Sequence, residues 1–225
     1  MVLPIALTPV HLSHAPNLLA VRFSAPHRTA GWAIVGGGIG EAAAVGWVAV
    51  RNAELGEDVD PAALLRDRLA AHGLRGAVGL LTSANLAAYT DVAREADGVS
   101  ARCIATVGLG NALRAGDPPG VLTRVGTINV LLRMSVPLTD AALLETLALA
   151  AEARTLAVLE GGVASAASGR PATGTGTDCI VVAAPIGGAA IEYAGKHTLP
   201  GHLAGAAVEA AVREGVRRWQ AEARQ

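Results

Sequence analysis

Cysteine is nearly absent: two residues in 225, Cys103 and Cys179. Both sit inside apolar stretches, Arg102-Cys103-Ile104-Ala105 and Asp178-Cys179-Ile180-Val181. There a thiol behaves as a small buried hydrophobe, which argues against a disulfide framework and for a reducing, cytoplasmic setting. Charge of one sign is also missing, because 18 Lys and Arg against 19 Asp and Glu leave a net charge of −1. No bulk electrostatic pull toward nucleic acid or an anionic membrane follows, and a neutral or zwitterionic small molecule is the better-matched partner. No apolar run approaches the roughly 20 residues of a membrane span. The opening MVLPIALTPVHLSH lacks the basic start and small-residue cleavage site of a signal peptide, so secretion and membrane insertion are not expected.

Several catalytic signatures are absent as well. There is no HExxH, no paired CxxC, and no GxSxG elbow. His197 and His202 stand five apart, off the i, i+4 spacing that would place a zinc pair on one helical face, so no metal site is expected. Gly195-Lys196 fails the Walker pattern, with Ala190 where glycine is needed and His197 following the lysine. Gly38-x-Gly40-x-x-Ala43 is a partial dinucleotide fingerprint, but the residues after it turn strand-like where a Rossmann unit needs a helix. A nicotinamide-dependent oxidoreductase is therefore a minor reading.

What is abundant is aliphatic. Hydrophobic residues make up 52% of the chain and aromatic ones 3%, the surplus being Ala, Val and Leu. At this length one compact domain over residues 1–225 is expected, with peripheral tails at 1–15 and 220–225. Short apolar runs at 18–23, 30–35 and 45–50 read as consecutive strands separated by Pro26 and by glycines 36–38. Asp60-Pro61 opens a helix that Gly73 stops. Further strands are expected at 76–82, 101–109, 125–135 and 179–184, with a short helical or irregular excursion around Leu86 to Glu95. Thr139-Asp140 caps what reads as the longest helix, about 140–159, and a last helix covers about 201–219. The three-strand opening and the irregular alternation predict an α+β fold: a layered single domain with a mixed, largely antiparallel sheet and about three long helices. A doubly wound α/β sheet is the alternative.

Polar chemistry gathers in a few segments. In Thr173-Gly174-Thr175-Gly176-Thr177-Asp178 the alternating glycines let backbone N–H groups approach a ligand, while hydroxyls and a carboxylate converge beside them. On composition alone this is equally a turn in which Asp178 bonds local backbone. Lys196 could hold an oxyanion and His197 is a general acid or base candidate, yet the same segment is also an ordinary polar helix cap. Asn111 and Asn129 follow apolar strands with glycine nearby, where an Asn side chain meets either a substrate amide or a turn.

Taken in order, Gly79-Leu80-Leu81-Thr82-Ser83-Ala84, Thr106-Val107-Gly108-Leu109-Gly110-Asn111-Ala112, Gly126-Thr127-Ile128-Asn129, Gly174-Thr175-Gly176-Thr177-Asp178 and Tyr193-Ala194-Gly195-Lys196-His197-Thr198 resemble the CbiZ-type adenosylcobinamide amidohydrolases over about residues 30–215. The resemblance implies hydrolysis of a linear carbon–nitrogen amide bond in corrinoid salvage, giving adenosylcobyric acid and 1-amino-2-propanol. It implies no separate cofactor, since the corrinoid is the substrate, and it leaves a metal requirement and a homo-oligomeric state open. Asp178, His197, Thr177 and Lys196 are the expected catalytic set. Gly174, Thr175, Gly176, Asn111, Thr127, Asn129 and Thr82 are the expected substrate contacts. Within it, Asp178 or His197 would activate water or a threonine hydroxyl, and Lys196 with the glycine amides would hold the oxyanion. A noncatalytic corrinoid- or nucleotide-binding protein is the alternative reading.

Overall fold

The computed structural model describes residues 10–56, 58–120 and 125–224; residues 1–9 and 225 of the expected tails lie outside them. In chain order the elements are β1 (Val10–Ala15), β2 (Leu18–Trp32), β3 (Gly38–Ala49), α1 (Pro61–Ala71), β4 (Val78–Thr82), β5 (Thr90–Ala96), β6 (Val99–Val107), β7 (Ala112–Leu113), β8 (Ile128–Met134), α2 (Asp140–Glu160), β9 (Gly174–Thr175), β10 (Cys179–Pro185) and α3 (Leu199–Glu222). Each helix starts as its sequence dictates. Asp60 accepts from Ala62 N, Thr139 from Ala142 N and Thr198 from Gly201 N, each satisfying an N–H that the first turn leaves without a partner.

The large sheet runs β4-β3-β2-β10-β8-β6-β5, with β1 added on β2. Only the β3–β4 and β8–β10 pairings in it are parallel, so the sheet is mixed and largely antiparallel, and the fold is α+β. β2 explains the unusual shape. Its first half pairs with β1 and its second half with β10, and its register against β3 shifts between Arg22 and His27. Pro26, expected to separate two strands, falls in that irregular stretch, where its missing N–H costs no ladder bond. One long strand therefore replaces two short ones.

The irregularity lets the sheet fold over itself. Val45, Trp47, Val78 and Leu80 of β3 and β4 share a buried cluster with Ile104, Leu131, Val181 and Ala183 of β6, β8 and β10. The alternate residues of the same strands face outward. Val130, Leu132, Ile180 and Val182 meet α2 and α3, whereas Ala44, Val48 and Leu81 meet Leu65 and Leu69 of α1. The period-2 alternation of strands thus serves two cores at once, in four layers: helix, sheet, sheet, helix.

Several expectations are refined. The excursion around Leu86 to Glu95 is a brief 3-10 turn followed by β5, whose exposed polar residues hid an edge strand. Asp97 and Gly98, with φ of 49° and 75°, form the tight turn into β6. Residues 10–15, expected as tail, make β1, and α3 with 24 residues is longer than α2 with 21.

Candidate active site

At one end of the two stacked sheets the space between them opens into a cavity of about 210 Å³. β8 and β10 begin there and β4 ends there, bringing Thr127, Thr177 and Thr82 to its wall, together with Asn111 and Ser83. Four of the expected site residues, Thr82, Asn111, Thr127 and Thr177, meet here from segments far apart in sequence. Ile34, Val50, Leu55, Leu81 and Val125 make the rest of the wall largely apolar.

The polar groups are sharply defined. Thr127 Oγ1 donates to Thr177 O at 2.7 Å, and Thr177 Oγ1 donates to Gly126 O at 2.9 Å. Both hydroxyl protons are committed to carbonyls, leaving oxygen lone pairs as acceptors. Thr82 is the converse: its Oγ1 accepts from Ala84 N at 3.0 Å, which leaves its proton to donate. Asn111 is 4% exposed, and its Oδ1 has no hydrogen-bond partner among the described residues. A buried amide oxygen without a partner costs about 1–3 kcal/mol, a cost a ligand's donor would remove. Gly126 makes room for it: a Cβ there would stand 2.9 Å from Asn111 Oδ1 and 2.5 Å from the backbone nitrogen of Gly110.

Asp178 sits behind this wall as an organising group. Its carboxylate accepts from Ile128 N and Thr175 N, each at 2.9 Å, from the Thr175 hydroxyl, and from Arg154 of α2. The side chains of Arg154 and Asp178 are 13% and 6% exposed. Burial pushes the Arg154 guanidinium below its ordinary pKa, though it stays charged at any working pH. With its lone pairs engaged, Asp178 positions the Gly126–Ile128 strand entrance instead of presenting itself to the cavity. Gly174 caps the ion pair, since a Cβ there would collide with both Arg154 and Asp178, and Gly174 and Thr175 are paired with β7. Gly176 is exposed in the adjoining turn and, like Gly174 and Thr175, is not part of the cavity wall. Asn129 lies beneath the cavity, fully buried, donating from Nδ2 to Leu81 O at 2.7 Å and so tying one sheet to the other.

Lys196 and His197 are elsewhere. Lys196 pairs with Glu152, and both are well exposed. Glu152 and Arg154 are two residues apart on α2, about 200° around the helix, so the partners of Lys196 and of Asp178 project from opposite sides. The expected oxyanion set of Lys196 with the glycine amides is therefore not assembled, because the 193–198 segment runs along the outer helical layer. Ala194 N there bonds Glu145.

Three features escaped the sequence reading. Ser83 lines the cavity and also two neighbouring depressions, of about 700 and 220 Å³. Arg154 reaches the Asp178 carboxylate from α2. Trp32 donates from Nε1 to Asp178 O at 2.7 Å while remaining 44% exposed. The Thr82-Ser83 step could have flagged Ser83, but nothing in local sequence ties residue 32 or 154 to residue 178.

Neither cysteine is a nucleophile. Burial raises both thiols, Cys179 to about 11, so thiolate is negligible near neutrality. Among the described residues no group of three or more His, Cys, Asp or Glu could hold a metal. No helix among them is long and apolar enough to cross a membrane.

An uncharacterized protein of Methanocaldococcus jannaschii, MJ1613, is 37% identical over 91 residues, which are 40% of this chain and 35% of that protein. The matched stretch thus spans about a third of that relative's length. Among solved structures, the PH0078 protein from Pyrococcus horikoshii superposes with a TM-score of 0.49 at 12% identity, covering 98% of this chain and 80% of the other. A Burkholderia beta-aminopeptidase gives 0.47 at 15% identity, covering 90% and 78%. The model of the adenosylcobinamide amidohydrolase family matches residues 6–224, nearly the whole chain, and the protein belongs to that family.

Proposed function

We propose that this protein is a hydrolase of linear amides that acts on adenosylcobinamide in corrinoid salvage, releasing adenosylcobyric acid and 1-amino-2-propanol. The family match over residues 6–224 supports the reaction class. The observation that carries the assignment to a place is the intersheet cavity, where Thr82, Asn111, Thr127 and Thr177 converge in an otherwise apolar wall. A space of about 210 Å³ suits a three-carbon amino alcohol and its amide. It does not suit a macrocycle, since drug-sized ligands occupy about 300–1,000 Å³.

Hydrolysis breaks the C–N bond; the water oxygen goes to the acyl carbon, and the amine nitrogen leaves with an added proton. In this reading Thr82, with its proton free to donate, polarises the scissile carbonyl and stabilises the developing oxyanion. Asn111 Oδ1 and the Thr127 lone pairs accept hydrogen bonds from the attacking water and aim its oxygen at the carbonyl carbon, while one water proton passes to the departing amine nitrogen. Asp178 is a positioning residue: it fixes Ile128 N and thereby the strand entrance that carries Thr127. The setting is cytoplasmic and the partner a small corrinoid, with no separate cofactor.

One observation favours a second reading. The described residues of the cavity wall include no carboxylate, imidazole or amine, the usual general bases, as in a noncatalytic corrinoid-binding protein. Incubation with adenosylcobinamide and chromatography of the corrinoids decides between them. The hydrolase yields cobyric acid with equimolar 1-amino-2-propanol, whereas retention of intact cobinamide by the protein without either product assigns the binding role.

A further inference from the structure

We propose that the corrin macrocycle rests on an apolar rim around the mouth of the cavity, with the indole of Trp32 as its platform. This rests on the reading of the cavity as the place of amide cleavage. Large hydrophobic side chains are rarely left in contact with water as a contiguous group unless something docks on them. Here Ile34, Leu55 and Val125 line the cavity yet are 41%, 37% and 47% exposed, so they form its edge. Trp32, two residues before Ile34, is 44% exposed.

Trp32 is both exposed and pinned. Its Nε1 donates to Asp178 O at 2.7 Å, and Asp178 adjoins Thr177 of the cavity wall. The chain holds only three tryptophans; Trp47 is fully buried, so the exposure of Trp32 is not the habit of the residue type here. A pinned ring loses little side-chain freedom when a flat apolar ligand covers it, which is why aromatic anchors bind at low entropic cost.

The occupant follows from size and continuity. When the aminopropanol amide enters a cavity of about 210 Å³, the macrocycle that bears it must remain outside, against whatever surrounds the opening. A corrin ring carries methyl groups and ring carbons between its peripheral amides and its axial cobalt ligands, and this apolar surface matches an apolar rim around a polar floor. Asp178 couples the two parts, its backbone oxygen holding Trp32 and its side chain holding Ile128 N.

The test separates macrocycle from arm. In Trp32→Ala and Ile34→Ser enzymes, shown folded by circular dichroism and thermal melting, KM for adenosylcobinamide rises about tenfold with kcat within about twofold. The inhibition constant of cobyric acid, a macrocycle without the arm, rises in parallel in both, while inhibition by 1-amino-2-propanol is unchanged in Trp32→Ala, whose side chain is not part of the cavity wall. Trp32→Phe recovers most of the affinity. Ile34→Ser leaves the Trp32 bond to Asp178 intact and so guards against a folding artefact. Unchanged KM and cobyric acid inhibition in both folded variants overturn the proposal. If the parent protein releases no 1-amino-2-propanol, the functional reading fails instead, and equilibrium dialysis with cobyric acid still judges the rim: weaker binding by both variants supports it, equal binding overturns it.

Discussion

Asn111 carries a cost that folding alone does not explain. Its side chain is 4% exposed and its Oδ1 has no partner among the described residues, although a buried acceptor is normally satisfied. Replacement by alanine removes an unsatisfied group and orphans nothing, so Asn111→Ala is expected to leave stability within about 1 kcal/mol of the parent, or to raise it. Activity should fall by about 10²-fold in kcat/KM, the usual loss when one preorganised hydrogen-bonding group is removed. Urea unfolding and steady-state kinetics on one preparation check both halves. The thiols supply a simpler prediction. Cys103 is fully buried and Cys179 is 8% exposed, and burial raises both. Neither is expected to react with iodoacetamide at about pH 8 in the folded protein, while both react in denaturant, as intact-mass measurement would show.

At the scale of elements, the Arg154–Asp178 pair joins α2 to the turn before β10 and to the start of β8. Removing one partner strands a buried charge, so Arg154→Met is expected to cost about 3–5 kcal/mol in denaturant unfolding. Asp178→Asn should lower activity together with stability, the signature of a positioning group; full stability with lost activity would instead make Asp178 the base. Between the sheets, His27 is 2% exposed and stacked on Phe23, with Nδ1 at 2.9 Å from Ala25 O and Nε2 accepting from Arg133 Nε at 3.1 Å. Burial, the largest cause, lowers its pKa from 6.5, against the opposing hydrogen bond to Ala25. The unfolded chain then binds the proton more readily, so the stability His27 contributes is intact above about pH 6.5 and declines as pH falls below it. His27→Gln keeps an acceptor for Arg133 without titrating. Its stability difference from the parent is expected to shrink or reverse between about pH 7 and pH 5 in urea melts.

At the scale of the whole molecule, the elements that obey local rules were legible in sequence. Asp60-Pro61, Thr139-Asp140 and Thr198 announce their helices by capping chemistry, and the apolar runs of β4, β6, β8 and β10 announce theirs by composition. β5 was not, because only Thr90, Val92 and Ala96 of this edge strand turn toward the core and the exposed Ala93, Arg94 and Glu95 blur the alternation. The folding of the sheet onto itself was not legible either. It depends on which alternate residues of β3 and β8 face one another, a long-range fact that no window around Trp47 or Leu131 contains. The site divides in the same way. Thr82, Asn111, Thr127 and Thr177 could be picked out as polar residues at strand ends, but local polarity attracts equal attention to Lys196 and His197, which the fold sends to the outer helical layer.

The central claim is that the intersheet cavity is where a corrinoid amide is cleaved. The most direct measurement is release of 1-amino-2-propanol from adenosylcobinamide by the parent, Thr127→Ala and Lys196→Ala proteins side by side, each confirmed folded. The account predicts equimolar 1-amino-2-propanol and adenosylcobyric acid from the parent, near-parental rates from Lys196→Ala, and a loss of at least about 10²-fold in Thr127→Ala. Parental turnover by Thr127→Ala, or a loss confined to Lys196→Ala, would contradict it.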